Sequence, residues 1–230
     1  MAELHKIVAR LKTALETAGA GEKKPPAEPA PVRIPPHAHR AELASTFARE
    51  LEAVAGRFLG ILTPDEAVAR IVEVARERNA QSIAVGEGVA NDTGAIAAAL
   101  TSAGISVVRP GPVADPAARI VMRERIARCA LGVAEAHYAI AATGTVAMLS
   151  SAGRPNSLTL VPPASLVLVQ VDGLVPDLAA LLATIGPEAA AAQRITLITG
   201  PSRTADIEKR IVVGVHGPKS LDVILVWPRE

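Results

Sequence analysis

SIAVGEGVANDTGAIAAALTSAGISVV, residues 82–108, decides the fold. Ser82 to Val85 is a short apolar run closed by glycine, Asn91-Asp92-Thr93 supplies a helix start for a segment of about residues 92–103, and Ile105 to Val108 is a second apolar run. Strand, helix and strand in succession require a crossover connection, which makes the two strands parallel.

The same alternation extends upstream. Spacing predicts a helix over about residues 42–59 and another over about 64–78, the second opening at Thr63-Pro64 with Glu66 placed for a capping box. Downstream, Pro110-Gly111-Pro112 precedes a helix of about residues 116–130. Shorter strand-like pieces follow at Tyr138 to Ala141, Thr145 to Leu149, Leu158 to Val161 and Leu166 to Val171. Such close spacing calls for hairpins and some antiparallel pairing. A helix of about residues 176–185 and strands at Arg194 to Thr199 and Leu221 to Trp227 complete the expected body. The fold class is α/β, a layered and mostly parallel sheet flanked by helices.

The first 40 residues read differently. Leu4, Ile7, Val8, Leu11, Ala14 and Leu15 recur at the helical period, and Gly19 to Arg40 then holds Pro25, Pro26, Pro29, Pro31, Pro35 and Pro36. The expected division is an N-terminal helix and Pro-rich linker over residues 1–40 and an α/β domain over 41–230.

Composition narrows the function. Half of the 230 residues are hydrophobic but only 2% are aromatic, so the core is aliphatic and base stacking on nucleic acid is poorly provided for. A net charge of +1, with no basic block, gives no footprint for nucleic acid or an anionic membrane. Cys129 is the only cysteine, so the chain cannot form an internal disulfide or supply the thiolates of an iron–sulfur cluster. No run approaches about 18 apolar residues, and the start lacks a secretory pattern. A soluble, cytoplasmic chain without a cofactor or metal of its own is expected, with homo-oligomerisation left open.

Polar chemistry gathers in three places. At Thr199-Gly200-Pro201-Ser202-Arg203-Thr204-Ala205-Asp206-Ile207-Glu208 a strand ends, Gly200 allows close backbone approach, and Ser202 is placed to cap a short helix through Ile207. Arg203 either clamps a carboxylate or phosphate, or pairs with Asp206 or Glu208. His216, between Gly214 and Gly217, either handles a proton together with Asp206 or is a hydrogen-bonded turn residue. Thr143-Gly144-Thr145 offers two hydroxyls around an accessible backbone, or simply a turn. Gly86-Glu87-Gly88 after the strand at 82–85 is not a dinucleotide fingerprint, because the third glycine position holds Asn91.

Tyr138 through Ala147, Arg154, Pro162-Pro163, Gly200 through Glu208 and Gly214-Val215-His216-Gly217-Pro218 together resemble the lactate-utilisation protein C family, LutC/YkgG, also called the LUD domain, over roughly residues 45–227. The resemblance implies a fold of the NagB/RpiA/CoA-transferase-like group. It also implies a place beside iron–sulfur partner proteins that oxidise L-lactate to pyruvate. On that basis Thr143, Gly144, Thr145, Gly200, Ser202, Arg203 and Thr204 are the expected binders of a small carboxylate or phosphorylated ligand, with His216 and Asp206 as the proton-handling pair. Family members usually carry an acidic residue where this chain has Ala142, and often a histidine where it has Ser165, which favours binding over catalysis. The alternatives are a non-catalytic assembly subunit docked through residues 1–40, or an independent transferase, isomerase or cyclo-ligase of the same fold group.

Overall fold

Ala44, Phe47 and Leu51 recur at the helical period, and their burial fixes the first helix, α1 (Arg40–Ala53), onto the body. The structure, a computed structural model, describes residues 40–88, 93–113, 115–151, 154–186, 192, 194–205, 211–213 and 217–228. The expected N-terminal helix and Pro-rich linker lie outside the described residues.

Where one helix was expected through about residue 59, α1 stops at Ala53 and Ala55, at φ 63°, turns the chain into strand β1 (Arg57–Leu62). The run Phe58 to Leu62 is apolar on both sides of the chain, so its period does not separate helix from strand. Long-range pairing decides it: β1 runs parallel to the last strand of the fold. Phe47 of α1 and Phe58 of β1, the two phenylalanines of the chain, meet edge to face with centroids 6.1 Å apart.

Helix α2 (Pro64–Glu77) opens with both halves of the capping box in place between Thr63 and Glu66. Strand β2 (Ser82–Val85), helix α3 (Thr93–Ser102), strand β3 (Ser106–Val108) and helix α4 (Pro116–Ala127) follow the expected alternation. Leu131–Ala136 then forms β4, a strand that the sequence reading passed over. After it come β5 (Tyr138–Ile140), a 3₁₀ turn at Ala141–Thr143, and β6 (Thr145–Ser150).

Leu158 to Val161 was expected as a strand, but Ser157–Leu160 is a single helical turn, α5. It rests on Gly132 of β4, where any Cβ would strike the carbonyl of Leu158. Strand β7 (Ala164–Gln170), a two-residue β8 (Leu174–Val175), helix α6 (Leu178–Thr184) and β9 (Arg194–Ile198) continue the chain. The short helix expected from Ser202 through Ile207 is instead strand β10 (Arg203–Ala205), paired antiparallel with β11 (Ile211–Val213). Strand β12 (Ser220–Val226) ends the fold.

The main sheet has the order β1-β12-β7-β4-β2-β3, with every pairing parallel. Its two faces are both covered, as a parallel sheet requires. Ile83, Val133, Leu166, Leu168 and Ile224 pack with Ile71 and Val74 of α2 and Leu100 of α3. Val167, Val169, Val223 and Leu225 pack with Phe47 and Leu51 of α1 and with Val146 and Met148 of a second sheet. That second sheet, β8-β5-β6-β9, contains the antiparallel pairs β5–β6 and β6–β9. Its far face buries Ile140, Ala147 and Leu149 against Leu181 of α6. Along the edge strand β1 the register slips between Phe58 and Ile61, and Gly60 takes φ 112°.

At the strand starts, the buried Asp222 accepts from Arg57 Nε at 3.0 Å and from Arg78 Nη2 at 2.7 Å. Cys129 is buried, and burial pushes its thiol up, consistent with a small core residue.

Candidate functional site

A parallel sheet has two chemically unequal edges, and ligands sit outside the carboxyl ends of the strands, at the point where the strand order reverses. Here the chain leaves β2 toward β3 on one side and returns to β4 on the other, so the reversal lies between β2 and β4. Gly86-Glu87-Gly88 follows β2, and Glu135, Ala136 and His137 lie at the end of β4.

These residues meet Arg154. Its Nη2 is 3.5 Å from Glu135 Oε2, and its Nη1 is 3.1 Å from His137 Nε2. Gly88, at φ 77°, lies so close that a Cβ there would land on Arg154 Nη2. The Arg154 backbone is held by a pair of hydrogen bonds exchanged with Ser151. Glu135, Arg154, His137, Tyr138, Gln170 and Asp172 line a cleft of about 310 Å³.

Glu135 is only 9% exposed at its side chain. Gln170 Nε2 donates to its Oε1 at 3.4 Å, while Oε2 has no hydrogen-bond partner. Burial pushes its carboxyl above the ordinary glutamate range, and the Arg154 charge, then the Gln170 hydrogen bond, draw it part of the way back.

His137 stands between two donors. The backbone N–H of Leu149 donates to Nδ1 at 3.2 Å, and Arg154, which only donates, faces Nε2. A neutral imidazole accepts at one nitrogen only, so the tautomer decides which of these two donors it serves.

Of the residues expected from sequence, those that the structure describes lie elsewhere. Thr145 Oγ1 is 2.7 Å from Thr143 Oγ1 and 2.7 Å from Thr199 Oγ1, so the two turns are joined by their own hydroxyls. Gly144, at φ 59°, abuts the backbone of Glu50 and Leu51, and Gly200, at φ 78°, abuts the Val54 carbonyl. Both glycines admit the end of α1. Arg203 donates to the Val54 carbonyl, a cation at a helix C-terminus. Gly200 and Ser202 line a smaller cavity of about 240 Å³ with Ser165 and Leu221, beside the starts of β7 and β12. This is the amino-end edge of the main sheet, opposite to Glu135. His216 and Asp206 lie outside the described residues, as does the side chain of Thr204.

Glu135 and His137 were not singled out in the sequence. The available signal was a carboxylate inside the apolar run Leu131 to Ala136, since a charge at a buried position demands a partner. Among the described residues, no group of three or more His, Cys, Asp or Glu is arranged to hold a metal ion, and no helix is long and apolar enough to cross a membrane.

The LUD domain family model matches residues 44–226. Lactate utilization protein C of Halalkalibacterium halodurans is 36% identical over 110 residues, which are 46% of this chain and 48% of that protein. The YkgG protein of Escherichia coli K12 is 38% identical over 108 residues, 45% of this chain and 47% of its own length. The chain thus spans about half the length of the curated relatives it matches. The crystal structure of a DUF162 family protein from Deinococcus radiodurans superposes with a TM-score of 0.58 at 20% identity, covering 81% of this chain and 98% of that one, and supports the layered α/β fold.

Proposed function

This chain belongs to the LUD domain family, and from that membership we propose that it serves lactate utilisation by binding a small 2-hydroxy or 2-oxo carboxylate at the carboxyl-end edge of its parallel sheet. The observation that carries the reading is that Arg154, in one cleft, stands 3.1 Å from His137 and 3.5 Å from Oε2 of Glu135, an oxygen without a hydrogen-bond partner. A carboxylate accepts from the Arg154 guanidinium. The neighbouring hydroxyl of a 2-hydroxy acid donates to Glu135, whose raised pKa suits it to hold or release that proton.

Oxidation of the hydroxy acid needs an electron acceptor, and we assign that part to iron–sulfur partner proteins. The single cysteine and the naming of the relatives as lactate utilization proteins support this division of labour. A second reading keeps the ligand between the Thr143–Thr145 and Gly200–Thr204 turns. The observation favouring it is the Thr143–Thr145–Thr199 hydroxyl chain that unites them.

Calorimetric titration of the full chain with L-lactate and pyruvate separates the two. Arg154→Gln is expected to weaken binding about ten- to a hundredfold, the worth of one charge-assisted hydrogen bond, with Arg203→Ala unchanged. The reverse pattern supports the two-turn site, and equal affinity in both variants refutes either clamp.

A further inference from the structure

A second and larger cleft, of about 630 Å³, opens between α4 and a wall formed by Ser150, Ser151 and residues 155–157. Arg119 and Arg123, one turn apart on α4, line it together with Arg194 at the start of β9. Among the described residues, no acidic side chain lines it. Among the described residues Arg40, Arg49, Arg57, Arg70, Arg78 and Arg154 each pair with a carboxylate, whereas no such pair forms at these three. Like charges held in one concavity repel each other and concentrate a positive field there, so the arrangement is matched only by an anion. Asn156, on the same wall, keeps a buried carboxamide oxygen without a hydrogen-bond partner while its Nδ2 donates to Thr196. Met122 and Ile126 give the α4 side an apolar strip between the charges.

We propose that this cleft binds a soluble organic diphosphate. Three guanidinium forks match the charge and the oxygens of a diphosphate better than those of a single carboxylate. The strip at Met122 and Ile126 covers the apolar part of the organic group, and the Asn156 oxygen accepts from one of its hydroxyls. The cleft and the Glu135 site have no lining residue in common.

The test is calorimetric titration of the full chain with ADP and with inorganic pyrophosphate at fixed ionic strength. Saturable binding of ADP is expected, weakened at least about tenfold by each of Arg119→Gln, Arg123→Gln and Arg194→Gln. Arg125→Gln, on the same helix but outside the cleft, is expected to leave the affinity unchanged. Absence of saturable binding by both probes overturns the proposal, as does an equal loss in Arg125→Gln, which would mark diffuse electrostatics. Because Arg154→Gln leaves ADP binding intact, failure here and failure of the lactate reading are seen in different variants.

Discussion

Arg154 Nη2 stands 3.5 Å from Oε2 of Glu135, an oxygen with no hydrogen-bond partner. The two residues come from different supports, a strand end of the main sheet and a loop after the second sheet. Their meeting places a cation over a buried carboxyl at the point where the strand order reverses.

Glu135 should make stability depend on pH. Its folded pKa is raised, so the folded chain holds this proton more tightly than the unfolded chain does. The carboxyl's contribution is therefore most favourable at low pH and declines as pH rises from the ordinary glutamate range through the raised value, with no further change above it. Glu135→Gln removes that component. In urea denaturation at a series of pH values, the variant should gain on the wild type as pH rises through this window. A difference that stays constant with pH refutes the burial of the charge.

Gly88→Ala should cost about 1–2 kcal/mol for a side chain at positive φ. Its Cβ would also displace the Arg154 guanidinium, the far end of a flexible side chain. Lactate affinity should fall about tenfold while the chain remains folded. Urea denaturation and titration, run on one preparation, read both effects. Unchanged affinity would show that the position of Arg154 does not matter.

Gly144→Ala should be far more damaging, because its Cβ meets helix backbone at Glu50 and Leu51, which cannot rotate away. Strain at φ 59° plus overpacking sums to about 2–5 kcal/mol. Gly104→Ala is the control: its φ is 78°, but nothing lies within 4 Å of a Cβ there. That variant should lose only the backbone part, about 1–2 kcal/mol. Equal losses would mean that α1 is not seated on the Thr143–Thr145 turn.

Asp222→Ala should cost about 3 kcal/mol by urea denaturation, at the lower end for a broken buried pair. The carboxylate is 2% exposed, whereas its partners Arg57 and Arg78 are 45% and 25% exposed and recover water when released. The loss should persist in high salt, since the buried carboxylate is poorly screened. A loss that vanishes in salt would place Asp222 at the surface.

The regular part of the fold was legible because its signals are local. Thr63 with Glu66, the glycine after Val85, and the apolar face of α2 mark their elements without help from distant residues. Strands β1 and β4 were not legible, for a shared reason. Phe58 to Leu62 is apolar on every side, and Leu131-Gly132-Val133-Ala134-Glu135-Ala136 is rich in helix formers. Each becomes a strand only through parallel neighbours distant in sequence.

Missing β4 meant missing Glu135 and His137, and the site with them. Gly200 was legible as a point of close backbone approach, and Thr143-Gly144-Thr145 as a turn with an accessible backbone. What approaches is α1 at Leu51 and Val54, which no local pattern shows. Arg154 was legible only through the family resemblance.

The slipped register of β1 between Phe58 and Ile61, with Gly60 at φ 112°, acts beyond its own strand. A sheet with every strand in step would end in a straight row of amide and carbonyl groups, ready to recruit a strand from another molecule. The bulge breaks that row at the sheet's outer margin. The six-stranded sheet is thereby guarded against growing sideways into an aggregate at β1.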